Sequence, residues 1–149
     1  DQKLPLSIAM VDVDFFKVYN DTHGHQKGDQ VLRTIGQLLI DSTEDHDVVA
    51  RYGGEEFILC FTKETDLEQI FAKADKVRKA IEEYRFDGEE LQPGGIVSVS
   101  VGTSYSDGSA SLDQLIKEAD NALYQSKKSG RNRVTFYKQE NENLQRLNG

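Results

Sequence analysis

The chain has 149 residues, of which 37% are hydrophobic and 30% are charged. This length and composition suit one globular domain with its own core and leave too little chain for two domains of ordinary size. The formal net charge of −8 makes the overall field repel nucleic acid, so a nucleic-acid-binding function is disfavoured.

An acidic chain still binds a polyphosphate where carboxylates recruit a divalent cation and a few local cations face the phosphates. The single cysteine, Cys60, lies in the apolar run 57–61, so we expect a buried thiol, no intrachain disulfide and a reducing, cytoplasmic setting. No apolar run approaches the length of about 18 residues that marks a membrane span. We therefore expect no direct membrane contact by this domain, although a membrane-bound parent protein can carry it on its cytoplasmic side.

The hydrophobic pattern predicts a sheet with helices packed against it. Residues 6–14 are apolar before they turn acidic, which predicts a buried strand with functional groups at its C-terminal end. The remaining predicted strands cover residues 48–52, 57–61, 97–101 and 133–137, the first two as a hairpin. The predicted helices cover residues 30–39, 67–84 and 112–123.

The order β, α, β-hairpin, α, β, α, β predicts an α+β fold, an α/β sandwich in which a central mixed five-stranded sheet is flanked by helices. Ser109 and Ser111 are candidate caps of the last helix, and Gly130 is a candidate stop signal. Residues 1–138 then form the domain, and residues 139–149 a polar tail or linker.

Four carboxylates lie where predicted strands end. Asp12 and Asp14 close the first strand, and Glu55 and Glu56 lie at the tip of the hairpin. Pairing of these strands would gather the four side chains, whose oxygens suit one Mg²⁺ or a pair of such ions. The alternative is that these acidic residues are simply solvated.

The segment 14–29 is rich in glycine, amide and carboxylate groups, a composition typical of a ligand loop. Asn20 and Asp29 suit guanine. The Asn20 amide can donate and accept hydrogen bonds along a purine edge, and the Asp29 carboxylate can accept hydrogen bonds from the N1 and N2 protons that guanine presents and adenine lacks. The alternative for Asp29 is to cap the following helix. His23 and His25 lack a third zinc ligand, so we expect them to be loop residues.

Positive charge is concentrated in residues 127–133, between the last predicted helix and the last strand. Lys127 and Arg131 are candidates for direct phosphate contacts in an otherwise acidic protein. The alternative is that these cations only complement the helix dipole.

Taken together, these motifs resemble the GGDEF family of diguanylate cyclases, whose signature is GG[D/E]EF. The matching segments follow the family's order over residues 6–137, and they are Asp12-Val13-Asp14-Phe15-Phe16-Lys17, Asn20-Asp21, Gly24-His25, Gly28-Asp29, Arg51-Tyr52-Gly53-Gly54-Glu55-Glu56-Phe57 and Ser129-Gly130-Arg131-Asn132. The resemblance implies a ferredoxin-like or palm-like cyclase fold with the GGEEF motif on a β-hairpin.

The implied enzyme condenses two GTP into cyclic di-GMP and two pyrophosphates, with Mg²⁺ or Mn²⁺ as cofactor. Each domain of a homodimer would bind one GTP, so that each 3′-hydroxyl attacks the α-phosphate of the other nucleotide. The implied catalytic residues are Asp12, Glu55 and Glu56, and the implied metal ligands are Asp12, Glu55 and the carbonyl of Val13. The implied substrate-binding residues are Asn20 and Asp29 for guanine, Lys127 and Arg131 for phosphates, and Phe15, Phe16, His25, Gly53 and Gly54 around the pocket.

The chain departs from the family pattern in two places. The family's inhibitory motif Arg-x-x-Asp is replaced by residues 44–47, where Glu44 stands in place of the arginine and Asp47 is kept. We therefore expect product inhibition through this site to be lost, since a carboxylate repels phosphate. The Asp-x-Leu-Thr stretch that precedes the first strand in the family is also missing, so we expect weaker dimerisation, and a sensory or regulatory domain upstream in the full protein.

Two other functions compete with the cyclase. One is a noncatalytic nucleotide-binding or regulatory domain, which an intact GGEEF signature disfavours. The other is a cyclase that uses adenine nucleotides or makes mixed products, which Asp29 disfavours because a carboxylate suits guanine.

Overall fold

The computed structural model describes residues 4–138 and arranges five strands in one sheet in the order β2-β3-β1-β4-β5. The strands are β1 (Leu6–Val13), β2 (Val48–Arg51), β3 (Glu56–Phe61), β4 (Val99–Ser106) and β5 (Val134–Phe136). Strands β4 and β5 pair in parallel, whereas the other neighbouring pairs are antiparallel. The prediction of a mixed five-stranded sheet with a GGEEF hairpin is confirmed.

Four α-helices accompany the sheet within the described residues: α1 (Phe16–His23), α2 (His25–Asp41), α3 (Leu67–Glu83) and α4 (Leu112–Lys128). The start of α4 follows from its cap, because the Ser111 hydroxyl accepts a hydrogen bond from the Gln114 N–H at 3.1 Å. Two short 3₁₀ turns, Glu89–Leu91 and Pro93–Gly95, lie between α3 and β4.

Strand β1 is central and separates two hydrophobic clusters. Its alternate residues Ala9, Val11 and Val13 belong to the larger cluster, which also contains apolar residues of α1, α2 and α3. Ile8 and Met10 point to the opposite face and pack in the smaller cluster with residues of α4. Because both faces of β1 are covered, the strand is apolar almost throughout and becomes acidic only where it leaves the core.

The prediction of a loop over residues 14–29 is wrong, because most of this segment is helical. His23 is the last residue of α1 and His25 is the first residue of α2, so neither is a loop residue. Asp29 lies inside α2 and does not cap it, since Gly24 holds the N-cap position. The signal for α1 was weak because only Phe16 and Tyr19 of its eight residues are buried.

The single cysteine is less buried than its apolar run predicts. Cys60 is half-buried beside the smaller cluster, and burial raises the pKa of its thiol. Within residues 4–138, no helix is both long enough and apolar enough to cross a membrane. The expected tail at residues 139–149 lies outside the described residues.

Strand β4 and helix α4 approach so closely that Gly102 has no space for a side chain. A Cβ at Gly102 would lie 2.1 Å from the Leu123 backbone nitrogen and 2.3 Å from the Ala119 carbonyl oxygen. We expect Gly102→Ala to lower the free energy of unfolding by about 3 kcal/mol, because helix backbone has to move. Chemical denaturation measures this change.

A matched control is Gly36→Ala in α2, where the nearest atom to an added Cβ, in the Phe57 ring, is 3.6 Å away. This change should leave the free energy of unfolding unchanged or raise it by about 0.5–1 kcal/mol, because alanine forms helix more readily than glycine. If Gly102→Ala, like Gly36→Ala, did not lower the free energy of unfolding, the contact between β4 and α4 would tolerate a methyl group.

Candidate active site

The hairpin brings its carboxylates to the end of β1. Asp12 pairs with Glu56 across the β1–β3 ladder, and the Val13 N–H donates to the Glu55 carbonyl at 3.2 Å. The residues opposite each other in an antiparallel pair share one face of the sheet. The predicted gathering of Asp12, Glu55 and Glu56 is therefore seen in the structure.

These carboxylates lie in an electrostatically strained cluster. Burial, with a smaller contribution from the charge of Asp12, raises the pKa of both Glu55 and Glu56 above the ordinary value. Burial also raises the pKa of Asp12, although the Lys127 ammonium, which donates a hydrogen bond to this carboxylate, opposes the shift. A cluster that resists ionisation in this way is a site where a divalent cation would relieve the repulsion.

Asp14 lines the same pocket as Asp12 and Glu55, as the sequence predicted, but its carboxylate is already engaged by hydrogen bonds within the chain. Its side chain accepts hydrogen bonds from the Ser98 hydroxyl at 2.7 Å and from the Ser100 hydroxyl at 2.6 Å. The backbone N–H of Asn132 donates to it as well, at 3.1 Å. Both carboxylate oxygens are thus used to join β1, β4 and the turn before β5, a set of bonds that we call the Asp14 junction.

Lys127 and Arg131 bring positive charge to the same place. Lys127, in the last turn of α4, reaches Asp12, and the Arg131 guanidinium lies over the Phe15 ring at 4.7 Å from its centre. Phe15 itself has a positive φ of 53°, which turns the chain sharply between β1 and α1.

These groups line one pocket of about 200 Å³ at the C-terminal end of β1. Its lining residues are Asp12, Val13, Asp14, Phe15, Phe16, Lys17, Glu55, Lys127 and Arg131. Both carboxylates and both cations that the motifs predicted for metal and phosphate are among them. The pocket therefore has the mixed charge that a metal-bound polyphosphate requires.

The residues predicted for guanine lie next to this pocket along the chain, on α1 and α2, and are not part of its lining. Asn20 has a buried side-chain oxygen that makes no hydrogen bond within residues 4–138. Gly28 makes room for that oxygen, because a Cβ there would lie 1.7 Å from it. Asp29 and His25 are exposed on the first turns of α2. An unpartnered buried acceptor is costly in a folded protein and is consistent with a ligand that supplies a donor.

Arg51 holds the tip of the hairpin, a role that the GGEEF motif alone does not predict. Its guanidinium donates to the carbonyls of Gly53 and Gly54. Neither glycine has a positive φ, and a Cβ at Gly54 would meet no atom of the described residues within 4 Å. The described residues therefore leave space for a side chain at position 54. Close approach of a ligand or of a second domain would explain why this residue is glycine.

Asp47, which the inhibitory motif retains, has partners within the chain. Its side chain is fully buried and lies 2.8 Å from the Lys73 ammonium. It also accepts from the Glu44 N–H at 3.0 Å, so the carboxylate closes its own turn. Glu44 is exposed, and the loss of product binding at this site remains a prediction.

The raised pKa of Glu55 has a consequence for stability. The folded protein holds this proton more tightly than the unfolded chain, so the ionised carboxylate opposes folding at neutral pH, and the penalty disappears below its ordinary pKa of 4.5. We expect Glu55→Gln to melt at a higher temperature than the wild type at about pH 7.5 without divalent metal, and the difference to shrink toward about pH 4.

Thermal melts across this pH range test the expectation. Glu83→Gln, at the exposed end of α3, serves as the control and should follow the wild type at every pH. A Glu55→Gln difference that is independent of pH would contradict the electrostatic explanation.

The family model described as "Diguanylate cyclase, GGDEF domain" matches residues 1–133. Diguanylate cyclase A of Treponema denticola is 42% identical over 141 residues, which cover 93% of this chain and 37% of that protein. Diguanylate cyclase DosC of Escherichia coli K12 is 39% identical over 137 residues, which cover 90% of this chain and 29% of that protein. The chain thus spans little more than a third of these relatives at most.

Solved structures agree with the fold. The GGDEF domain of DgcB from Caulobacter crescentus, in complex with c-di-GMP, superposes with a TM-score of 0.80 at 34% identity and covers 89% of this chain and 78% of that one. The active GGEEF domain of a diguanylate cyclase from Vibrio cholerae gives a TM-score of 0.81 at 34% identity and covers 91% and 84%. With the family model matching nearly the whole described chain, this protein belongs to the diguanylate cyclase GGDEF domain family.

Proposed function

We propose that this domain is a diguanylate cyclase, which condenses two GTP into cyclic di-GMP and releases two pyrophosphates. The observation that carries the proposal is the single pocket in which the carboxylates of Asp12 and Glu55 face the cations Lys127 and Arg131. A diguanylate cyclase needs both kinds of group, because a triphosphate is bound through a metal and through direct cationic contacts. The names of the similar proteins support the same activity.

GGDEF domains are nucleotidyl cyclases that need a divalent metal. We propose Mg²⁺, or Mn²⁺ in its place, held by the carboxylates of Asp12 and Glu55 and by the carbonyl of Val13. The donor set fits, because all three residues offer oxygen ligands, which these hard cations prefer, and all three line the same pocket. When bound, such an ion neutralises phosphate charge and orients the triphosphate.

The remaining residues bind and orient the nucleotide. Lys127 and Arg131 hold the phosphates, and the sharp turn at Phe15 and Phe16 presents backbone to them. Asn20 and Asp29 hold the guanine from α1 and α2, with His25 beside them. The buried oxygen of Asn20, which lacks a partner within the described residues, supports this assignment because a base N–H would satisfy it.

The reaction joins two GTP, and the proposed site of each domain binds one, so two domains act together. Each 3′-hydroxyl attacks the α-phosphorus of the other GTP, forms a new P–O bond and expels pyrophosphate, so both nucleotides have to lie face to face. The exposed tip at Gly53 and Gly54 leaves room for this approach. Glu56 belongs to the carboxylate cluster and has a raised pKa, which suits a carboxylate that accepts the proton of the attacking hydroxyl.

The active form is accordingly a homodimer. The domain is also the output part of a longer cytoplasmic or membrane-bound protein with a sensory or regulatory domain upstream. The greater length of the similar cyclases supports this organisation.

The main competing function is a nucleotide-binding module without catalysis, and turnover separates the two. Glu55→Gln keeps the size of the side chain and removes an anionic metal ligand. We expect its rate of cyclic di-GMP formation at saturating GTP and Mg²⁺ to fall by at least about 100-fold while the domain stays folded. Product formation is followed by chromatography.

Glu83→Gln again provides the control, since it removes a glutamate charge at the exposed end of α3, outside the pocket lining. It should keep the wild-type rate. Turnover by Glu55→Gln close to the wild-type rate would refute the proposed active site.

Base choice tests the guanine assignment separately. Asp29→Ala removes the proposed acceptor of the guanine protons and should weaken GTP binding by about 1–3 kcal/mol, with a smaller effect on ATP. Asp41→Ala, at the other end of α2, is the matched control and should change neither affinity. A binding titration in which Asp29→Ala keeps the full preference for GTP over ATP would show that another group selects the base.

A further inference from the structure

The turn that carries Arg131 has an unusual backbone. Gly130, Arg131 and Asn132 all have positive φ, at 124°, 66° and 48°. Glycine tolerates this conformation, but two consecutive residues with side chains rarely adopt it. Such a turn persists only where its surroundings hold it.

Asn132 is held on both sides. Its backbone N–H donates to Asp14 at 3.1 Å, as part of the Asp14 junction. On the other side its amide oxygen accepts from Arg78 Nη1 at 2.9 Å, and its amide nitrogen donates to Glu82. The residue after Arg131 is therefore fixed to β1 through its backbone and to α3 through its side chain.

Arg78 is the centre of the contacts on α3. Its side chain is only 12% exposed, and its Nε donates to Asp75 at 2.7 Å while Nη1 lies 3.3 Å from Glu82. Two carboxylates thus neutralise the guanidinium, and Arg78 is not among the residues that line the 200 Å³ pocket. A direct charge contact with a ligand in this pocket is therefore not its role, because its charge is compensated locally.

We propose that Arg78 is a positioning residue for Arg131. Through Asn132 it holds the left-handed turn that places the Arg131 guanidinium over the Phe15 ring, ready to meet phosphate. This inference rests on the proposed function, because it gives Arg131 the role of a phosphate ligand. It adds a residue on a different element, which no GTP-binding motif in the sequence contains.

The test is a double-mutant cycle between Arg78→Met and Arg131→Ala. The probe is a GTP analogue with a methylene group between the α- and β-phosphorus, titrated calorimetrically with Mg²⁺, and guanosine serves as the phosphate-free comparison. Arg131→Ala should weaken analogue binding by about 10-fold or more and leave guanosine binding unchanged. Arg78→Met should weaken it by about 3- to 10-fold alone and by less than about 2-fold when Arg131 is already alanine.

Two further variants separate position from charge. Arg78→Lys keeps the charge but cannot bridge Asp75, Glu82 and Asn132 together, so it should lose affinity as Arg78→Met does. Asn132→Gly takes the place of Arg78→Met if that variant does not fold. It removes the side chain that Arg78 holds but keeps the left-handed backbone accessible, and it should lose affinity to the same extent. Arg33→Met, on the exposed surface of α2, is the control for removing an arginine and should bind as the wild type does.

Three results would overturn the inference. Wild-type affinity in Arg78→Met, with Arg131→Ala impaired, refutes the positioning role alone. An equal loss with and without Arg131 shows a general structural effect. Full affinity in Arg131→Ala refutes the phosphate role of Arg131 in the proposed function, and the inference falls with it.

Discussion

The arrangement of the site depends on the hydrogen bonds of one buried carboxylate, that of Asp14. It accepts hydrogen bonds from Ser98, Ser100 and the backbone of Asn132, and so joins strands β1 and β4 to the turn before β5. A buried carboxylate has to be satisfied by donors, and these three hydrogen bonds also fix where β1 ends. Asp12 and Arg131, which flank this junction along the chain, are thereby brought to one pocket.

The pocket itself is held in an unfavourable electrostatic state. Burial raises the pKa values of Asp12, Glu55 and Glu56, so the fold places these carboxyl groups where their ionisation is unfavourable. Lys127 compensates part of this charge at Asp12. Sites of this kind sacrifice some stability for binding, because the missing positive charge is supplied by the metal ion that accompanies the ligand.

Much of the fold follows from hydrophobic periodicity, but several site features depend on contacts that periodicity does not contain. The five strands and three helices were predictable because β1 is apolar on both faces and the helices have regular apolar stripes. Helix α1 was missed because its few buried residues stand among polar ones. The hydrogen bonds of Asp14 were not predicted because its partners Ser98 and Ser100 lie more than 80 positions away in sequence, where only the tertiary fold brings them together. The same limit applies to Arg78, whose contact with Asn132 spans 54 positions.

In the proposed reaction, two copies of this pocket, each loaded with GTP, together form cyclic di-GMP. The most direct measurement is to incubate the purified protein with GTP and Mg²⁺ over a range of protein concentrations and to identify the products by mass. We expect cyclic di-GMP and pyrophosphate in a ratio of one to two, with a rate per domain that rises with protein concentration. Absence of any cyclic dinucleotide at every concentration, from protein that binds GTP, would contradict it.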